Sequence, residues 1–116
     1  MSMQELFVAL VQNATDAQDR VYPQIAPDGV EPPFIVYQRV TVNVENVLTG
    51  RTTLINTRLQ VDCYAITYAQ AQQVATQVAD LMASWALPNV QILAQDIYES
   101  EVKLHRVMAD YSIWHT

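Results

Sequence analysis

The chain has 116 residues, 51% of them apolar and 16% charged, which fits one globular domain with a single core and excludes a disordered chain. Twelve acidic residues against six basic ones give a net charge of −6. That balance argues against binding to a phosphate backbone, and two glycines leave no glycine-rich phosphate loop.

No apolar run approaches the roughly 20 residues of a membrane span. The N-terminus lacks a basic region followed by an apolar core, so a soluble protein without a signal peptide and without membrane contact is expected. The single cysteine, Cys63, excludes an internal disulfide.

Residues 3–14 place Met3, Leu6, Phe7, Leu10, Val11 and Ala14 on one face and predict an amphipathic helix, with Ser2 and Glu5 as its capping box. Residues 15–33 are polar and proline-rich and read as a long ordered loop. A turn is expected at Pro27-Asp28-Gly29, with Val21, Tyr22 and Ile25 pinning the loop to the core.

Phe34 to Glu45 alternates and predicts a strand. Phe34, Val36, Val40, Val42 and Val44 fall on one face, and Ile35, Tyr37, Arg39, Thr41 and Asn43 on the other. Asn46 to Arg51 reads as a loose hairpin connection carrying Val47 and Leu48, two apolar residues expected to await a neighbouring subunit. Thr52 to Ala65 is the second strand, with Ile55, Leu59, Val61, Cys63 and Ala65 on the inner face and Asn56, Arg58, Gln60, Asp62 and Tyr64 on the outer.

At Thr67 the period changes from two to about 3.6. Thr67 and Gln70 fit an N-terminal cap, and Ala71, Val74, Ala75, Val78, Leu81, Met82 and Trp85 form one apolar stripe. Leu81 and Trp85 are expected to be buried near Val61 and Cys63. The opposite face carries Gln70, Gln72, Gln73, Thr76, Gln77 and Asp80, and Pro88 keeps the helix from continuing. At about 1.5 Å per residue this helix is roughly 28 Å long, enough to cross a small sheet.

Val90 to Tyr98 predicts a third strand without a clear inner face, Glu99 to Lys103 a charged turn, and Leu104 to Trp114 a fourth strand. In the last, Val107, Ala109, Tyr111 and Ile113 point inward and Arg106, Met108, Asp110, Ser112 and Trp114 outward. The order α-β-β-α-β-β predicts an α+β protein of two layers. Its four-stranded, mainly antiparallel sheet carries both helices on one face. The bare face would then present Tyr37, Arg39, Arg58, Asp62, Tyr64, Arg106, Asp110 and Trp114, a mixture of aromatics and arginines that interfaces enrich. An ordinary solvated face with cross-strand charge pairs is the plainer alternative.

No catalytic, cofactor or metal site emerges. His105 and His115 lie about 33 Å apart on an extended strand, too far to share one ion. Cys63 points inward as a small hydrophobe, and Asp62 alternates away from it. Asp96, Glu99 and Glu101 read as a solvated hairpin end, not as paired carboxylates.

Four stretches together resemble one family, the tail-completion, tail-terminator or head–tail joining proteins of long-tailed bacteriophages. Asp19-Arg20-Val21-Tyr22-Pro23 with Ala26-Pro27 is similar to the family's loop after the first helix, and Pro33-Phe34-Ile35-Val36-Tyr37-Gln38 to its first strand. Arg58 to Ala65 with Thr67 to Ala71 is similar to its strand-to-helix junction, and Arg106 to His115 to its closing strand. Residues 86–104 match least. The resemblance implies a structural virion protein of the tail or neck, assembled in the host bacterial cytoplasm, with no cofactor and no catalysis. It further implies a self-associated, six-fold ring between the tail tube protein and the head-connector protein. DNA would pass through the ring without specific binding, which a net charge of −6 suits. A small ferredoxin-like dimer with a ligand or catalytic site, or a monomeric binding module, are the alternatives from other classes.

Overall fold

Ser2 starts the first helix, α1 (Met3–Val11): its hydroxyl accepts from the Glu5 N–H at 3.1 Å while the Glu5 carboxylate accepts from the Ser2 N–H at 3.2 Å. This capping box satisfies two otherwise orphaned donors and holds the Glu5 carboxyl below its ordinary pKa. Met3, Phe7 and Val11 are buried. The helix stops three residues earlier than the periodicity suggests, because Gln12 turns extended and Asn13 takes φ 60°. Ala14 is consequently exposed.

The computed structural model describes residues 2–46 and 53–116. Val47 and Leu48 lie outside the described residues. The other elements are β1 (Val21–Pro23), β2 (Phe34–Asn46), β3 (Thr53–Ala65), α2 (Tyr68–Ala83), β4 (Asn89–Glu99) and β5 (Leu104–His115). The strands form one five-stranded sheet in the order β1-β2-β3-β5-β4. Both helices contribute to the core on one face, giving the expected two-layer α+β arrangement.

The fifth strand is β1, which joins β2 in parallel and makes the sheet mixed. The Ile35 N–H donates to the Arg20 carbonyl at 2.9 Å, and the Gln24 N–H donates to that of Tyr37 at 2.8 Å. Three residues ending in proline carry no readable alternation, and an edge is where a strand tolerates a residue without an N–H. The turn at Asp28-Gly29 forms, with Gly29 at φ 79°, a region closed to most L-residues. Ile25, expected in the core, is instead 80% exposed.

Register decides which face each side chain takes. In β2, Ile35 pairs with Cys63, Tyr37 with Val61 and Arg39 with Leu59, so these β2 residues lie on the helix side. The assignment from alternation is therefore reversed for the first half of the strand: Phe34 and Val36 face away from the helices, paired with Tyr64 and Asp62. A bulge between Arg39 and Thr41 then shifts the phase by one, placing Thr41 and Asn43 opposite the outward Arg58 and Asn56. Simple alternation across 34–45 fails because the period breaks at Val40.

The core assignments for β3 and β5 hold: Leu59, Val61, Cys63, Ala65, Val107, Ala109, Tyr111 and Ile113 are all buried. The α2 stripe packs on them through Ala71, Val74, Val78 and Met82. Leu81 and Trp85 are only half-buried at the edge of that cluster, because Met82, one step around the helix, points more directly at the sheet. We therefore expect Met82→Ala to cost about 2–5 kcal/mol in a denaturant titration and Leu81→Ala less than half as much. The reverse order would place the helix in a different rotation about its axis.

Candidate assembly surface

The sheet face turned away from the helices is built from rows of paired residues. Phe34, Tyr64 and Arg106 form one row, Val36, Asp62 and Met108 the next, and Gln38, Gln60 and Asp110 the third. Phe34 stacks on Tyr64 with centroids 4.8 Å apart, and the Arg106 guanidinium lies 5.8 Å from the Tyr64 ring centre.

The arginines on this face are held by carboxylates of the same chain. Arg58 donates through Nε and Nη2 to Oδ2 of Asp110 at 3.1 and 2.7 Å. Arg106 donates through Nε to Oδ1 of Asp62 at 3.1 Å and through Nη1 to Oε1 of Glu99 at 2.9 Å. Gln60 donates to the other Asp62 oxygen at 3.0 Å. Asp62 and Asp110 are buried, although no helix covers them. Of the residues the sequence assigns to this face, Arg58, Asp62, Tyr64, Arg106, Asp110 and Trp114 are where expected. Tyr37 and Arg39 are not: Tyr37 lies 5.5 Å from the Phe7 ring on the helix side, and Arg39 follows it in the same phase. Arg39 has no carboxylate partner among the described residues.

At one end the segment Gln24–Pro32 and the turn Glu99–Leu104 wall a groove of about 660 Å³, floored by Val36, Gln60, Asp62 and Arg106. Its floor groups Gln60, Asp62 and Arg106 are engaged with one another.

The remaining titratable candidates are scattered. His105 lies between Tyr68 and Tyr98, at 5.9 and 4.9 Å between ring centres, while His115 Nε2 is 2.8 Å from the buried Thr57 hydroxyl at the far end of β5. Asp96 accepts from Tyr68 and Gln72, both at 2.7 Å, on the helix side, whereas Glu99 turns to Arg106 on the other. The hydrogen bond and charge of Asp96 push the Tyr68 hydroxyl up. Among the described residues no three His, Cys, Asp or Glu side chains group as metal ligands. No helix there is long and apolar enough to cross a membrane.

Burial, with the Asp62 charge beside it, pushes the Cys63 thiol up to about 12. It should stay unmodified by a thiol reagent at pH 8 until the chain is unfolded. Labelling of the native protein within minutes would show that β3 opens locally.

The surface that sequence reasoning missed is the pair of sheet edges. Strand β4 is almost wholly exposed, with Val90, Ile92, Leu93 and Tyr98 among the largest apolar side chains in contact with solvent. Beyond β1, no strand among the described residues pairs with the outer edge of β2, which exposes Val40 and Val42. The missing inner face has a physical cause: the bulge between Gln91 and Leu93 breaks the alternation, leaving Asn89, Gln91, Ala94 and Asp96 on the helix side and Val90, Leu93 and Ile97 on the outer side.

A chain from a structure titled "Virion of native gene transfer agent (GTA) particle" shares this fold, with a TM-score of 0.61 at 13% identity over 94% of this chain and 83% of the other. No curated protein matches by sequence. The family described as "Tail completion protein gp17" matches residues 4–116, and the chain therefore belongs to that family of structural phage-tail proteins.

Proposed function

We propose that this protein completes the tail of a phage-type particle by forming a ring on the end of the tail tube, where it joins the tube to the head connector. The observation that carries the reading is the family match over residues 4–116. The surface supports it: the outward arginines are engaged within the chain, and Val40, Val42, Val90, Ile92 and Leu93 expose apolar area along two strand edges, where a partner's backbone can pair. The ring would be six-fold, its partners the tail tube protein and the head-connector protein, and its place the virion after assembly in the host cytoplasm. A net charge of −6 suits a passage through which DNA slides without being held.

The ferredoxin-like alternative loses its basis in the topology. That fold runs β-α-β-β-α-β, whereas this chain runs α-β-β-β-α-β-β with its hairpin strands adjacent in the sheet.

The test is deletion of the gene in the phage or prophage that carries it. Full heads and separate tails are expected, restored to joined particles by the gene supplied in trans. Intact infectious particles from the deletion would overturn the proposal.

A further inference from the structure

We infer that successive copies of this chain join edge to edge, the β4 edge of one copy adding to the exposed half of β2 in the next. The inference rests on the ring reading above, and it names the contact that would build the ring.

Direction comes first. β2 pairs antiparallel with β3, β3 with β5, and β5 with β4, so β4 runs antiparallel to β2 within one sheet. A neighbour generated by rotation, with its helices on the same side, therefore presents β2 antiparallel to this copy's β4. The sheet continues without inverting its layers. This contact is heterologous, the type that closes rings.

Level comes second. Reading across the sheet, Arg39, Leu59, Tyr111 and Gln91 form one row, and Thr41, Arg58, Ser112 and Val90 the next. The exposed half of β2 and the first half of β4 thus lie at the same end of the molecule, on opposite edges. β1 covers β2 only at residues 35–37 and does not obstruct this end. Both edges also carry one bulge, between Arg39 and Thr41 and between Gln91 and Leu93, within one row of each other. An extra residue on each strand at the same level lets the two ladders stay in phase.

Chemistry comes third. The exposed apolar residues at this level are Val40 and Val42 on one edge and Val90, Ile92 and Leu93 on the other. The β1–β2 edge carries Arg20 and Arg39, neither with a carboxylate partner among the described residues, and one acidic residue, Glu45, near the far end of β2. The β4 edge carries Asp96 and Glu99 and no lysine or arginine. Arg20, whose carbonyl bonds Ile35, is level with Asp96 through the row Ile35, Cys63, Val107, Asp96. A β4-to-β4 dimer would instead set two acidic edges together and leave the β2 edge bare. An uncovered strand of this length, without Lys or Pro, is otherwise a template for aggregation.

Thr41 and Val90 share a row and the outer face, so across the joint they become directly opposed, at a spacing that a disulfide can bridge. Thr41→Cys and Val90→Cys are made as separate chains, both carrying the buried Cys63, and mixed under mild oxidant. They are also combined in one chain and supplied to particles lacking the native gene. A heterodimer from the mixture, neither single variant linking to itself, and a ladder of linked copies in particles from the double variant are expected. Val90→Cys linking to itself would overturn the proposal in favour of the two-fold dimer. Particles that contain the double variant yet show no ladder, either for this pair or for Asn43→Cys with Val90→Cys, would overturn the strand joint and leave the ring function standing. Absence of the native chain from purified particles would overturn the functional reading itself.

Discussion

Phe7→Ala is expected to be among the most destabilising single changes in the chain, lowering stability by about 3–5 kcal/mol. Phe7 is fully buried, and its ring lies 5.5 Å from that of Tyr37 and 6.4 Å from that of Trp85. It therefore ties α1 to β2 and to the end of α2 at one point. Few other contacts hold α1: Met3, Val11 and the half-buried Leu10 complete its buried side. A second tether lies just beyond the helix, where the Asp16 N–H donates to the Gln77 side chain at 2.9 Å and Gln77 donates back to the Asp16 carboxylate at 3.2 Å. Because those bonds survive the substitution, the segment after α1 should stay docked while the helix itself loosens. The measurement is a denaturant midpoint with an unchanged slope, with Phe7→Leu as the control at about 1 kcal/mol. A loss below 1 kcal/mol for Phe7→Ala would mean that α1 is a peripheral helix that the sheet does not need.

The parts of this fold legible in the sequence are those where one period holds over a whole element. β3 and β5 alternate without interruption, and their inner residues were assigned correctly because each strand is covered on one face by α2. The α2 stripe was equally readable, including Met82; what it could not rank was burial within the stripe, where Leu81 and Trp85 are half-buried and Met82 is the buried neighbour. The failures share a cause in local breaks of period. A single extra residue at Val40 combined two phases into one apparent alternation and put Tyr37 and Arg39 on the wrong face. β1 has too few residues to show any period, and its place beside β2 is set by backbone pairing to Arg20 and Gln24, which side-chain pattern does not record. The candidate surface was half legible for a related reason. Composition showed arginines, aspartates and aromatics on one face, but whether those charges wait for a partner or satisfy each other depends on register between β3 and β5. The β4 edge was hidden because the bulge at Ile92 breaks its alternation, so its exposed apolar residues mark no single face.

That resolution of the charges reverses the meaning of one mutation. Arg58→Glu, which would test an interface if Arg58 were unpaired, is expected to destabilise the subunit itself by about 3 kcal/mol. Both donated hydrogen bonds from Arg58 go to a single oxygen of Asp110, whose side chain is 6% exposed against 39% for Arg58. The other Asp110 oxygen is buried without a partner. Among the described residues the guanidinium is thus the only charged group bonded to that carboxylate. Its partial exposure weakens the attraction by solvent screening, which is why the expected cost lies at the low end for breaking a buried pair. Glutamate at 58 removes the compensation and adds a second carboxylate beside the first. An apolar swap separates a structural pair from a contact residue. Arg58→Met alone should cost about 2–3 kcal/mol, because it leaves Asp110 buried and unpaired, whereas Arg58→Met with Asp110→Leu should recover most of the loss. If the double variant folds near the native midpoint and still yields joined particles, the Arg58–Asp110 pair acts within the subunit and the outer face is not where copies meet. A double variant of native stability that no longer joins heads to tails would return this face to the interface.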